Sequence, residues 1–364
     1  LWVVGPYKKG PIHIKEEKEI GKTLFGWFGE IYLAGHSIDE GLEAVEDFYD
    51  QGRLSTLDAL GEGGTSEAEA ERDFDAYVKM IDKVAALHVK KDTNDVSSIS
   101  LKPSAICYCE ESKADEAGMK TVEFHHDLTQ RLRNILQYAK NKGVNVTLDM
   151  EDHPYTDISL EVAKTMWEEG FDNLGIVLQS RLNRTDDDIT TVLANETYEG
   201  IDKSKIRVRE CIGIYKEPNT IAIDQEDKPA MKEKLKEQVK QLYDAGVYVE
   251  VATHDPDTVR DIVADINARG LDKTRFEFQF LKGVRKGYDL ENELRAEGFK
   301  TRFYMPVELK EGDGIPYMQR RLRNNPEMID MAIKNVFDEL KWAVFHPFKA
   351  TKKLYNFTQK LYRS

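Results

Sequence analysis

Two adjacent arginines, Arg320-Arg321, stand out in a chain with 66 acidic and 52 basic residues and a formal charge of −14. Side-by-side guanidinium groups can grip one carboxylate through several charge-assisted bonds, a geometry that lysine cannot reproduce. Taken alone, the pair reads more readily as a basic face of the helix expected over Pro316-Tyr-Met-Gln-Arg-Arg-Leu-Arg. Lys102 follows the run Ser-Ile-Ser-Leu and precedes Pro103, so its amine is expected at the exit of a buried strand. Asp149 closes Val146-Thr147-Leu148 and supplies the carboxylate that a lysine near a low-dielectric interior needs. Arg209 sits in the largely apolar stretch 206–215. It faces either the outside or an interior, where an anion or an electron-rich cofactor would justify it. His254, in Val251-Ala-Thr-His-Asp-Pro, has the chemistry of a general base or a metal ligand. No HxH, HExxH or CxxC spacing accompanies it, so no catalytic metal is expected.

These side chains need elements to hold them. Short β-rich runs cover 54–60, 97–106, 145–150, 173–178, 206–215, 247–252, 275–281 and 302–307. Most are nearly continuous in apolar character, as strands covered on both faces are. Amphipathic helical patterns lie between them over 66–88, 127–142, 159–170, 230–245 and 256–269. Ser66 with Glu69, and Asp255 before Pro256, mark helix starts. Eight strand–helix units with right-handed crossovers predict an α/β fold, a TIM-like (βα)8 barrel. A doubly wound sheet would carry a glycine-rich phosphate loop after its first strand. Gly61-Glu62-Gly63-Gly64-Thr65 fits neither GxGxxG nor GxxxxGK[ST].

The chain therefore reads as an N-terminal helical segment (1–53, with a helix from about Ile38), a barrel (54–340) and a tail (341–364). A final helix of the barrel domain carries the arginine pair over the barrel mouth. Active sites of such barrels lie at the C-terminal ends of the strands. The polar residues expected there are Glu62, Lys102, Asp149 with Glu151 and Asp152, Gln179, Arg209, Thr253 with His254, Glu277 and Tyr304.

Composition removes several function classes. The first 340 residues hold no long basic stretch, which disfavours nucleic acid as a partner. No run of 18 apolar residues exists, so no membrane-spanning helix is expected. Cys107, Cys109 and Cys211 cannot all pair internally, which points to a reducing compartment. The tail departs from the rest, with six basic residues, six aromatics and no acidic residue. Leu354, Phe357 and Leu361 recur there at helical spacing. Such a segment suits the headgroup zone of an anionic bilayer, or its aromatics pack back on the barrel. The expected location is the cytoplasm or, peripherally, the inner face of a membrane.

Several motifs follow one another in a recognisable order. They are Leu101-Lys102, Leu148-Asp149-Met150-Glu151-Asp152, Gly175-Ile-Val-Leu-Gln179-Ser180 and Gly213-Ile-Tyr215-Lys216-Glu217-Pro218, followed by Ala252-Thr253-His254-Asp255, Phe276-Glu277-Phe278-Gln279-Phe280-Leu281 and Pro316-Tyr317-Met-Gln-Arg320-Arg321. From about Ile31 to about Lys334 the chain resembles the proline dehydrogenase family. The resemblance implies FAD-dependent oxidation of L-proline to Δ1-pyrroline-5-carboxylate by hydride transfer to flavin N5. Electrons would then pass to a quinone or another acceptor. By position, it implies that Lys102 and Asp149 line the proline site below the flavin, with Arg209 near N5. It places Gln179, Gly213, Thr253 and His254 against FAD and Tyr304 against the substrate ring. Arg320 and Arg321 would clamp the substrate carboxylate, and Glu62 would close the site by pairing with the first of them. The acidic loop 308–315 and Asn324 depart from the family pattern, as does the extended connection 107–123. Two other readings remain: oxidation of hydroxyproline, whose branch tends to lack the ring-packing tyrosine, and a flavin barrel that binds without catalysis.

Overall fold

The eight β-rich runs become eight parallel strands that close on themselves in sequence order in a computed structural model. It describes residues 31–61, 66–108, 122–310, 312–315 and 317. The strands are β1 (Leu54–Leu60), β2 (Ser97–Leu101), β3 (Val146–Leu148), β4 (Leu174–Gln179), β5 (Arg207–Cys211), β6 (Tyr248–Ala252), β7 (Phe276–Leu281) and β8 (Lys300–Glu308). Closure is made by β1 against β8, in register from Leu54↔Arg302 to Leu60↔Glu308.

Helices cover the outside of this ring. They are α1 (Ile38–Asp50), α2 (Glu67–Lys91), the short α3 (Pro103–Ile106), α4 (Val122–Asn141), α5 (Thr156–Glu168), α6 (Thr185–Asp188, continuing as a π-helical turn), α7 (Lys228–Asp244), α8 (Pro256–Arg269) and α9 (Arg285–Ala296). Ser37 caps α1 by accepting from the Glu40 amide, and Ser66 caps α2 through Glu69. Asp255 accepts from the Thr258 amide at the start of α8, which ends at Gly270 in the left-handed region. Each such cap satisfies amides that have no partner inside the helix.

Two runs are shorter than their composition suggests. The run 97–106 leaves the sheet at Leu101, because Pro103 cannot donate to a ladder and instead opens α3 at its first position. The run 206–215 stops at Cys211, because Gly213 turns the chain at φ +97°. Helix α9 is not among the periodic patterns of the sequence. Its buried face is Leu290 and Leu294 together with Gly287 and Glu291, too little for an apolar stripe. Gly287 is required there, since a Cβ would meet the Phe280 side chain at 2.8 Å.

Register separates the side chains into two populations. Leu57, Ile99, Leu148, Ile176, Val208, Val249, Phe278 and Phe303 point outward into the helix layer and are almost fully buried. The alternate positions point inward and are mostly polar: Thr56, Asp58, Ser98, Ser100, Thr147, Asp149, Arg207, Arg209, Glu250, Glu277, Gln279, Arg302 and Tyr304. The chain divides into two compact units, Tyr32–Gly314 and a second made of Leu1–Ile31 with Ile315–Ser364. Glu62, Cys109, Arg320 and Arg321 lie outside the described residues, as do residues 1–30 and the tail 341–364.

Candidate active site

Inside the barrel, toward the C-terminal strand ends, Asp149 gathers a set of cations and donors. Ser100 Oγ donates to its Oδ1 at 2.6 Å, and Arg209 Nη1 donates to the same oxygen at 2.7 Å. The Tyr304 hydroxyl donates to Oδ2 at 2.7 Å, and Lys102 Nζ lies 3.5 Å from that oxygen. Arg209 Cζ sits 5.1 Å from the centroid of the Tyr304 ring, within cation–π range. Four residues singled out in the sequence (Lys102, Asp149, Arg209 and Tyr304) thus meet in one cluster.

Asp58 lies closer to Lys102 than Asp149 does, with its Oδ1 2.7 Å away. In the sequence, a single acid in Leu-Ser-Thr-Leu-Asp-Ala-Leu looks like a solvent-facing position. Its register beside Ser100 turns it inward. Arg209 faces the interior, and the anion that justifies it is Asp149. Its Nε donates to Gln279 Oε1 at 2.6 Å, another partner the sequence did not suggest. Glu277 was expected at a strand end. It is the second residue of β7 and lies in the lower half of the barrel.

The two carboxylates behave oppositely. Burial pushes Asp58 up to about 6, and the neighbouring charge of Asp149 adds to the rise while Lys102 opposes it. Burial acts on Asp149 in the same sense, but the charges of Lys102 and Arg209 and the Ser100 and Tyr304 hydrogen bonds outweigh it and hold it below the usual range. Asp149 therefore stays ionised, and Asp58 is the carboxyl that can exchange a proton near neutrality. Burial, then Asp149, holds the Tyr304 hydroxyl well above its ordinary value, so it remains a donor. Burial likewise pushes the Cys211 thiol up to about 12, out of nucleophile range.

The loops beyond the strands are braced by side chains that the sequence did not mark for this role. Glu151 accepts from the Ser104 amide at 2.9 Å and its hydroxyl at 2.5 Å, fixing the turn after Lys102. Its backbone carbonyl accepts from Gln179 Nε2 at 2.7 Å, which leaves Gln179 Oε1 buried without a donor. Gly213 lies against that oxygen, and a Cβ there would approach it to 2.5 Å. Arg181 holds the following loop by donating to the carbonyls of Tyr215 at 2.6 Å and Ile223 at 2.9 Å. Glu217 ties this loop to the one after β3, accepting from the amide of His153 at 2.9 Å and pairing with its Nδ1 at 2.7 Å. At the end of β6, Thr253 Oγ1 accepts from the Asp255 amide at 3.2 Å. His254 Nε2 accepts from the Leu281 amide at 2.9 Å. That bond commits Nε2 to the backbone and places the neutral ring's proton on Nδ1, so His254 acts here by holding the end of β7.

A sequence profile described as proline dehydrogenase matches residues 41–331. The proline dehydrogenase of Deinococcus radiodurans is 30% identical over 324 residues, which is 88% of this chain and 94% of that protein. Proline dehydrogenase 1 of Bacillus subtilis is 29% identical over 305 residues, covering 84% and 89%. Among solved structures, proline utilization A from Bdellovibrio bacteriovorus, inactivated by N-propargylglycine, aligns with a TM-score of 0.72 at 23% identity. The alignment covers 84% of this chain and 33% of that longer one, and it speaks for the fold. A closed parallel barrel whose interior gathers Lys102, Asp149, Arg209 and Tyr304, matched over most of its length, places this chain in the proline dehydrogenase family, oxidoreductases that act on proline with a flavin.

Proposed function

We propose that this protein oxidises L-proline to Δ1-pyrroline-5-carboxylate with FAD and hands the electrons to a quinone or another acceptor. The observation that carries the reading is the buried Asp58–Lys102–Asp149–Arg209–Tyr304 cluster, which leaves polar atoms without protein partners. Gln179 Oε1 and Arg209 Nη2 are buried and unpaired, and Gly213 offers bare backbone beside the first. An acceptor for an imide N–H, a cationic donor for the electron-rich edge of a ring and a surface without a side chain fit a flavin. Gln179, Arg209, Gly213, Thr253 and His254 are the residues that would hold it. Bound FAD supplies the hydride acceptor, flavin N5.

The remaining work falls to side chains. Proline arrives as a zwitterion, and the family resemblance assigns its carboxylate to Arg320 and Arg321, with Glu62 as the partner of the first of them. Its ring must lose a proton from nitrogen and a hydride from the adjacent carbon to leave a C=N bond. Asp58 can take that proton, and Lys102 keeps it oriented. Tyr304, pinned to Asp149, presents a fixed ring surface that favours proline over its hydroxylated analogue.

Purified protein should carry a flavin absorption that L-proline bleaches under anaerobic conditions. Protein that takes up no FAD, or a flavin that proline leaves oxidised, overturns the reading. We assign the basic tail 341–364 to peripheral contact with an anionic bilayer, where a quinone would be met. Among the described residues no helix is long and apolar enough to cross a membrane. Full-length protein should sediment with anionic vesicles at low salt, and protein ending near Leu340 should not. Equal sedimentation of the two removes the membrane role.

A further inference from the structure

We propose that Glu277 and Gln279 are positioning residues for Arg209, forming a hydrogen-bonded brace from the lower end of the barrel to the reacting end. The inference rests on the functional reading above. Both side chains face inward from β7, two residues apart, and both are almost fully buried. Arg209 Nε donates to Gln279 Oε1 at 2.6 Å. Gln279 Nε2 donates to Glu277 Oε1 at 2.9 Å, and Arg302 Nε reaches that same oxygen at 2.7 Å. Arg302 is anchored in turn by the Ser55 carbonyl at 2.8 Å and by Asp95 Oδ1 at 2.6 Å. The chain of contacts is unbroken from Asp149 to the loop that carries Asp95.

The chemistry of an amide explains why this is a brace rather than packing. A glutamine has an oxygen end and an NH2 end, and only the oxygen end attracts a guanidinium. Glu277 can only accept when ionised, so it captures the NH2 end and leaves Oε1 for Arg209. Arg302 neutralises Glu277, without which a buried carboxylate would stand uncompensated. Arg209 is then gripped from two sides, by Asp149 and Ser100 on Nη1 and by Gln279 on Nε. Rotation of its planar group is blocked, and the buried, unpaired Nη2 is aimed by the brace. Fixed donors of this kind stabilise developing charge because they need no reorganisation at the moment of reaction.

Gln279→Leu should lower kcat for proline about 10- to 100-fold, the usual cost of losing a residue that orients a functional group, while KM stays within about threefold. Gln279→Glu supplies a sharper, independent readout. It keeps an acceptor for Arg209 but sets two carboxylates face to face, and a shared proton restores the bond. Its rate of flavin reduction relative to wild type should therefore climb as pH falls. The midpoint potential of its bound flavin should lie below that of wild type at neutral pH, since a second carboxylate weakens the positive field. An unchanged kcat in Gln279→Leu overturns the brace. So does a Gln279→Glu variant whose pH profile and potential match wild type, or losses that only follow a lowered Tm. Wild-type protein that proline does not bleach overturns the functional reading and the brace together. A bleaching wild type with an indifferent Gln279→Leu overturns the brace alone.

Discussion

Arg209 and Arg302 occupy the same barrel interior, and each is paired with an aspartate, yet they are finished differently. All three nitrogen positions of Arg302 are bonded: Nε to Glu277, Nη1 to the Ser55 carbonyl and Nη2 to Asp95. Arg209 has partners at Nε and Nη1, while Nη2 is buried with none. Their aspartates, Asp149 and Asp95, are both held below the usual range, but the upper cluster contains a further acid that is not. Partial burial would raise Asp95, but the charges of Arg302 and Lys300 pull it down to about 2. Asp58, with one lysine and a second carboxylate beside it, is driven up by burial to about 6, and its Oδ2 is unpaired. The lower cluster uses up its bonding capacity on itself, as an anchor does. The upper one keeps capacity open at Arg209 Nη2 and Asp58 Oδ2, which a bound molecule could meet.

The comparison can be broken most forcefully at Arg302. Arg302→Met leaves the buried Glu277 without a cation and Asp95 with Lys300 alone, and denaturant unfolding should show a loss of about 3–5 kcal/mol, the scale for removing one partner of a buried ion pair. Arg209→Met should lose much less stability, because Asp149 keeps Lys102, Ser100 and Tyr304, and should instead lose turnover. Equal stability losses in the two variants would erase the distinction between anchor and site.

Asp58 offers the next largest effect, with a definite sign. Its folded value of about 6 lies above the ordinary 3.8, so its stabilising contribution is complete below pH 3.8 and is lost as pH rises through 6. Asp58→Asn cannot ionise, so its stability relative to wild type should improve by up to about 3 kcal/mol between pH 4 and 6.5 and then level off. Parallel curves over that range would place Asp58 in an ordinary ion pair like that of Asp95.

The smallest effect separates the two halves of Tyr304. Tyr304→Phe removes the donor to Asp149 and should cost about 1–3 kcal/mol of stability, with the proline-to-hydroxyproline ratio of kcat/KM retained. Tyr304→Ser removes the ring as well and should collapse that ratio. If the phenylalanine variant loses selectivity too, the hydroxyl rather than the ring reads the substrate.

The barrel was legible wherever local chemistry and burial agreed. β1 and α8 fall on the residues that pattern and capping predict, 54–60 and 256–269. The run 97–106 reads as one strand because Pro103-Ser-Ala-Ile is as apolar as the strand before it, and periodicity cannot tell a buried helical turn from a buried strand. The site was legible in its cations, since a lysine or arginine inside an apolar run demands an explanation. It was poorly legible in their partners. Lys102 was matched with Asp149 when Asp58 lies closer, because pairing across strands depends on stagger around the ring, which no single strand encodes. Gln279 escaped for a simpler reason: an uncharged amide in an aromatic run raises no alarm.

The seam between β1 and β8 also bears on how the protein comes into being. Leu54 pairs with Arg302 and Leu60 with Glu308, so the first strand of the ring has no second neighbour until the last is synthesised. Tyr304 reaches Asp149, and Arg302 reaches Ser55 and Asp95, only when that seam zips. Until β8 is made, the ring that encloses Asp58 and Asp149 cannot close. Such long-range closure is slow, and exposed strand edges invite association while it waits. Competence arrives in one late step, and a chain cut short before β8 is an edge-exposed client for chaperones rather than a weaker enzyme.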